Sequence, residues 1–199
     1  MRRAETRWKK ALAFLACAPM AILAVATAWS CAAPPDDTRL TVLKNKPDYG
    51  AFATGNVSYF LERRCGTLDC HGRIERPLRI YGQRGLRLPN DAGLTPSSGE
   101  TSEAEKTANY RSALGLEPEQ LNRVMTGENP AILLLISKPL SYDPDVPGTD
   151  KGVRHRGGPQ IIQGQDGYNC LFNWLGGTFN DDTVAACKRA AEVLQVPAN

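Results

Sequence analysis

The stretch NVSYFLERRCGTLDCHG, residues 56–72, decides how the rest of the chain is read. Asn56 is a capping-type residue, and Val57, Phe60 and Leu61 follow at helical spacing, so a short amphipathic helix is expected to lead into Cys65. Beyond that helix, Cys65 and Cys70 are separated by four residues, and His71 directly follows the second. Two sulfurs and an imidazole on one local turn point to ligand chemistry before core packing.

Two thiols add across the vinyl groups of haem when both sulfurs lie on one turn, and the adjoining histidine is then swung onto the iron as proximal ligand. Cys65, Cys70 and His71 are read in these roles, with covalent haem c as the cofactor. The usual spacing has fewer intervening residues; here they are expected to bulge away while the Cys-His end is unchanged. A Cys65 to Cys70 disulfide is the plainer alternative, and it leaves His71 unexplained. A zinc site on Cys65, Cys70 and a histidine is a third reading, weakened because Cys170 and Cys187 lack the close spacing of a zinc knuckle.

Upstream, MRRAETRWKK carries Arg2, Arg3, Arg7, Lys9 and Lys10 against Glu5, and the uncharged run ALAFLACAPMAILAVATAWS follows. Residues 1–30 are therefore read as a signal peptide. The run is also long enough to span a hydrocarbon core of about 30 Å, so the residues after it decide. Ala28, Trp29, Ser30 and Cys31 resemble a lipoprotein signal box, in which the cysteine is diacylated and becomes the new N-terminus. Trp29 fits that box poorly, and cleavage after Ala26-Thr27-Ala28 is the alternative. Either way the expectation is export, to the periplasm or the outer membrane, with a lipid at Cys31 as the only membrane attachment. Arg2 and Arg3 lack the polar and aromatic followers of a folded-protein export signal, so transport as an unfolded chain, with haem attached afterwards, is expected.

Five of the 24 basic and one of the 21 acidic residues fall in the first thirty positions, so the remainder is within one charge of neutral. The pI near 8.5 belongs largely to the signal and gives no reason to expect nucleic acid or an anionic membrane as partner. With 42% hydrophobic and 23% charged residues, the chain lies in the globular range and suffices for one core.

Residues 31–54, rich in Ala, Pro, Asp and Thr, read as a tether and entry loop, and the domain is placed at 55–199. Residues 73–98 read as an extended loop with a short hairpin around Gly82 to Gly85. Ser102 and Glu105 form a capping pattern for a helix over about 103–113, stopped by Gly115. Pro118 opens another, with Leu121, Val124 and Met125 on one face, and AILLLIS after Pro130 is a buried helix or strand. From Ser141 to Gly164 the chain is loop-like and contains the only other histidine, His155. Two helices close the chain, the first with Tyr168, Leu171, Phe172 and Leu175 on a face, the second capped around Asn180 to Asp182. The expected class is mainly α, a small loop-rich helical domain able to wrap a cofactor.

YFLERRCGTLDCHG and RPLRIYGQRGLR near the start, NPAILLLISKPL in the middle, and HRGG with DGYNCLFNWLGG near the end together resemble bacterial cytochrome c-like domains and lipoproteins. The likeness covers about half of the chain left after the signal. It implies a cytochrome c-like helical domain with one haem, working in electron transfer with a redox partner protein that the likeness does not name.

After removal of residues 1–30, His71 and His155 are the only histidines and Met125 the only methionine, so the sixth iron ligand lies between His155 and Met125. Met125, on an apolar face, is also a natural core filler, while His155 sits in a polar, glycine-rich loop. Cys170 and Cys187 are expected to pair as a disulfide joining the last two helices. Arg73, Arg76, Arg79, Arg84 and Arg87 are candidate contacts for haem propionates or a partner, with a solvated face as the plainer reading. The competing functions are an electron carrier, a peroxidase-type enzyme needing an open iron position, and a non-haem lipoprotein stabilised by two disulfides. No catalytic triad, phosphate loop or paired-carboxylate signature stands out.

Overall fold

Side-chain capping written into the sequence starts three of the seven α-helices among the described residues. The computed structural model describes Leu43, residues 45–141 and residues 155–193, so the signal segment, Cys31, most of the tether and residues 142–154 of the long loop lie outside the described residues. Helix α1 (Tyr49–Thr54) starts at Asp48, whose carboxylate accepts from Ala51 N. It lies within the segment read as tether and entry loop, and its Phe52 is fully buried, so the packed domain begins before residue 55. Helix α2 (Val57–Arg64) follows, buries Val57, Phe60 and Leu61, and ends at Cys65. Asn56 has a left-handed backbone and makes no side-chain cap; its amide instead donates to Val184 O across the fold.

Helix α3 (Glu103–Leu114) carries the expected capping box between Ser102 and Glu105 and stops at Gly115. Helix α4 (Pro118–Met125) has its proline in the first turn and buries Leu121 and Val124. The apolar run after Pro130 is neither one helix nor a strand. It splits into a 3-10 turn (Pro130–Ile132), an extended Leu133, and the one-turn helix α5 (Leu134–Ser137). Helices α6 (Asp166–Leu175) and α7 (Asp181–Glu192) close the fold, with Asn180 capping the second through Thr183 N. The buried face of α6 is Cys170, Leu171, Trp174 and Leu175, whereas Tyr168 and Phe172 stack on each other at its margin. Among the described residues the structure is mainly α with no sheet, only isolated bridges Tyr81–Leu86 and Leu140–Ile161.

Residues 42–199 form one compact unit. Its centre is the α6–α7 pair, joined by the buried Cys170–Cys187 disulfide, with α2 against α7. The bond closes a loop of 17 residues, worth about 3 kcal/mol in the chain-entropy description. Phe52 packs between Tyr110 and Trp174, at ring separations of 5.4 and 5.1 Å. The buried Trp174 indole donates to Asp48 O, and Tyr110 O–H to Pro47 O, so the aromatic cluster fastens the entry segment.

The loop over 78–88 has no regular structure, yet it is fixed to α3. The fully buried Asn109 side chain both accepts from Tyr81 N and donates to Tyr81 O, and Ser112 accepts from Arg79 N. Nearby, Arg87 and Glu105 form a buried ion pair at 2.8 Å, and the same carboxylate accepts from Leu88 N and Ser102 N. Burial alone pushes the Glu105 carboxyl up, but the Arg87 guanidinium and those backbone donors outweigh it and hold its pKa below the ordinary carboxylate value. A depressed folded-state pKa adds stability above the unfolded value and loses it as pH falls through the folded one. Glu105→Ala is expected to lower unfolding free energy by about 3–5 kcal/mol in urea denaturation at pH 7. Glu105→Gln is expected to flatten the decline of stability below about pH 4; an acid limb as steep as wild type would overturn this assignment.

Candidate functional site

The chain leaves α2 at Cys65 and doubles back on itself within a few residues. His71 N donates to Cys65 O at 2.8 Å, Cys70 N and Gly72 N both donate to Thr67 O, and Ile80 N donates to His71 O at 2.9 Å. Between the cysteines Leu68 and Asp69 are exposed, whereas Gly66 is buried and Thr67 half-buried.

This closure depends on three glycines. A Cβ on Gly72 or Gly85 would press into the Gly66 carbonyl, and each would also lie 2.9 Å from the other's Cα. Gly66 follows Cys65, Gly72 follows His71, and Gly85 comes from the loop on α3, so a backbone contact that only glycine permits joins both ends of the turn to that loop. Sequence reading missed this junction. A glycine after Cys65 and another after His71 were visible in the sequence, but nothing local indicated that Gly85 would meet them.

His71 Nδ1 lies 3.0 Å from Leu78 O. A carbonyl only accepts, so Nδ1 carries the proton and Nε2 keeps its lone pair. His155 repeats the arrangement, its Nδ1 lying 2.7 Å from Gly158 O. The His155 turn is anchored by Gln160 N and Ile161 N, which donate to Pro139 O, and by Ser141 N, which donates to Ile161 O. The structure thus brings together His71 and His155, far apart in sequence, with ring centroids 6.1 Å apart and planes within 8° of parallel. Burial lowers the His71 pKa, and the neighbouring positive groups His155, Arg76 and Lys138 add to this against the raising effect of the Leu78 hydrogen bond. The neutral form of the ring is favoured.

Both imidazoles line a cleft of about 410 Å³, together with Cys65 and Cys70. This is within the roughly 300–1,000 Å³ of sites that hold cofactor-sized molecules. Pro77, Leu78, Leu116, Leu134, Leu135 and Pro139 supply an apolar lining, and Arg64, Asp69, Arg76, Lys138, Arg156 and Gln160 supply polar groups. Met125 does not line the cleft and packs half-buried against the core. Of the basic series after His71, only Arg76 lines it. Arg87 is committed to Glu105, and Arg73 pairs with Glu75.

Cys65 and Cys70 are free thiols. Cys65 is half-buried as a residue, but its sulfur is desolvated, and burial with the neighbouring Cys70 pushes the thiol up to about 12. Reactive redox cysteines are built the opposite way, with a stabilised thiolate. Among the described residues, no three His, Cys, Asp or Glu side chains group as a metal site made of protein ligands alone.

Gly85→Ala is expected to destabilise the domain by about 1–3 kcal/mol in thermal or urea unfolding, because rigid backbone must move. In the reduced protein, alkylation of Cys65 by iodoacetamide is expected to be slow at neutral pH and still climbing at about pH 10; a plateau near the ordinary thiol value of about 8.5 would contradict the desolvated setting. In comparisons with known proteins, no family model matches the chain, and neither a curated protein nor a solved structure does.

Proposed function

We propose that this protein is an exported c-type cytochrome that carries one covalent haem and works in electron transfer. The observation that carries the proposal is the pair of parallel imidazoles, His71 and His155, 6.1 Å apart across one cleft with each Nδ1 held by a backbone carbonyl. Two metal–imidazole bonds of about 2 Å each, together with the radii of two rings, span about 6 Å, so the separation suits a shared metal once each Nε2 is turned toward it, since the two rings are stacked here. Because the described side chains offer no third metal ligand to this pair, a metal between them takes its other ligands from outside the chain, as four porphyrin nitrogens provide.

In this reading Cys65 and Cys70 would hold haem through two thioether bonds, and His71 and His155 would both ligate its iron. Bound haem supplies a one-electron ferric–ferrous couple. With His71 and His155 both ligating, the iron would have no open position for peroxide, and its potential would be lower than with a His/Met pair. Export, with a lipid at Cys31, belongs to the same proposal, since c-type haem attachment takes place outside the cytoplasm, and a redox partner protein is implied.

The test is a haem stain on a denaturing gel with a pyridine haemochrome spectrum, on protein produced with a c-type maturation system. Covalent haem is expected in wild type and lost in Cys65→Ser/Cys70→Ser. His155→Ala is expected to open a coordination position that binds carbon monoxide or added imidazole, while Met125→Leu leaves the six-coordinate spectrum unchanged. Exported, folded wild type without covalent haem would sink the proposal and leave a non-haem lipoprotein.

A further inference from the structure

Four cations line the cleft, Arg64, Arg76, Lys138 and Arg156, against the single acid Asp69. They divide into two pairs. Arg64 donates to Ala190 O and Val193 O at the end of α7, and Arg76 donates to Cys70 O, so the two cations beside the cysteine segment are already occupied. The side chains of Lys138 and Arg156 are exposed and make no hydrogen bond or ion pair with a described residue.

These two belong to one substructure. Lys138 ends α5, Arg156 follows His155, and their segments are tied through Pro139 O to Gln160 N and Ile161 N at 2.7 and 3.0 Å. Two positive charges on one wall of a cleft, without a partner among the described residues, attract two negative ones. Haem carries its vinyl groups and its two propionates on opposite edges of the ring. With the vinyl edge bonded to Cys65 and Cys70, the propionate edge faces away from the cysteine segment and its two occupied arginines.

Resting on the haem reading above, we infer that Lys138 and Arg156 are the partners of the two haem propionates. The basic series that follows His71 is thereby released from that role. Lys138 and Arg156 fix the rotation of the ring in the cleft and bring positive charge close to the iron, where it favours the reduced state. Arg156 also couples the carboxylate contact directly to the His155 turn.

The experiment uses the matured holoprotein. Resonance Raman spectra are compared for wild type, Lys138→Gln, Arg156→Gln, the double variant, Lys138→Arg, and Arg84→Gln as an exposed cation away from the cleft. The propionate bending band, whose frequency rises with hydrogen bonding to the carboxylates, is expected to fall in each glutamine variant and furthest in the double. It is expected to hold in Lys138→Arg and Arg84→Gln. The bands that report axial ligation and spin state stay in place throughout, which separates lost carboxylate contacts from a disturbed fold, and the midpoint potential of the double variant becomes more negative. A double variant whose propionate band sits at the wild-type position, or an equal shift in Arg84→Gln, overturns the inference while leaving the cytochrome reading standing. Wild type without covalent haem defeats both.

Discussion

The rest of the structure depends on how tightly the backbone closes around His71. Its N–H is bonded to Cys65 O, its carbonyl to Ile80 N and its ring to Leu78 O, so one residue is held at three points by two segments. Such closure needs backbone to touch backbone, which Gly66, Gly72 and Gly85 allow and any larger residue would prevent. It also requires the segment that supplies Leu78, Ile80 and Gly85 to be immobile although it has no helix or sheet of its own. Helix α3 provides that rigidity through Asn109, Ser112 and the Glu105–Arg87 pair. The polar groups buried there are therefore part of the support of the imidazole, two steps removed from it.

The second imidazole is held by different means. His155 lies on a tight turn whose carbonyl at Gly158 accepts from its ring, and that turn is pinned to the end of α5 through Pro139 O. Two histidines on independent supports reach a parallel arrangement only if both supports are stiff, since each side chain has freedom about two bonds. The backbone hydrogen bond at each Nδ1 removes most of that freedom and fixes the tautomer at the same time.

Beneath both supports lies the core of α2, α6 and α7, with the Cys170–Cys187 bond and the Phe52–Tyr110–Trp174 cluster. Arg64 couples this core to the cleft, since it lines the cleft while donating to carbonyls at the C-terminal end of α7, where a cation is favoured. Charge around the cleft is thereby divided between cations that hold the fold and cations whose side chains have no partner among the described residues. A loop-rich chain can be well ordered on these terms because its irregular segments find side-chain partners on helices in place of a sheet ladder.

The sequence by itself determined the helices with local signals. The capping box at Ser102 and Glu105, the first-turn proline at 118, the stop at Gly115 and the Asn180 cap act over a single turn, so they are readable one stretch at a time. The mainly α class and the Cys170–Cys187 pairing were legible in the sequence as well. Tertiary structure alone decided that α1 belongs to the packed domain, since its signal is a Phe52 that becomes meaningful only between Tyr110 and Trp174. It alone broke the apolar run at Leu133. It alone chose between His155 and Met125 as the neighbour of His71, because which residue crosses a cleft depends on long-range packing that no periodicity encodes. The glycine junction and the sorting of the arginines have the same character: each is a contact between segments distant in the chain, and its physical cause lies in the partner.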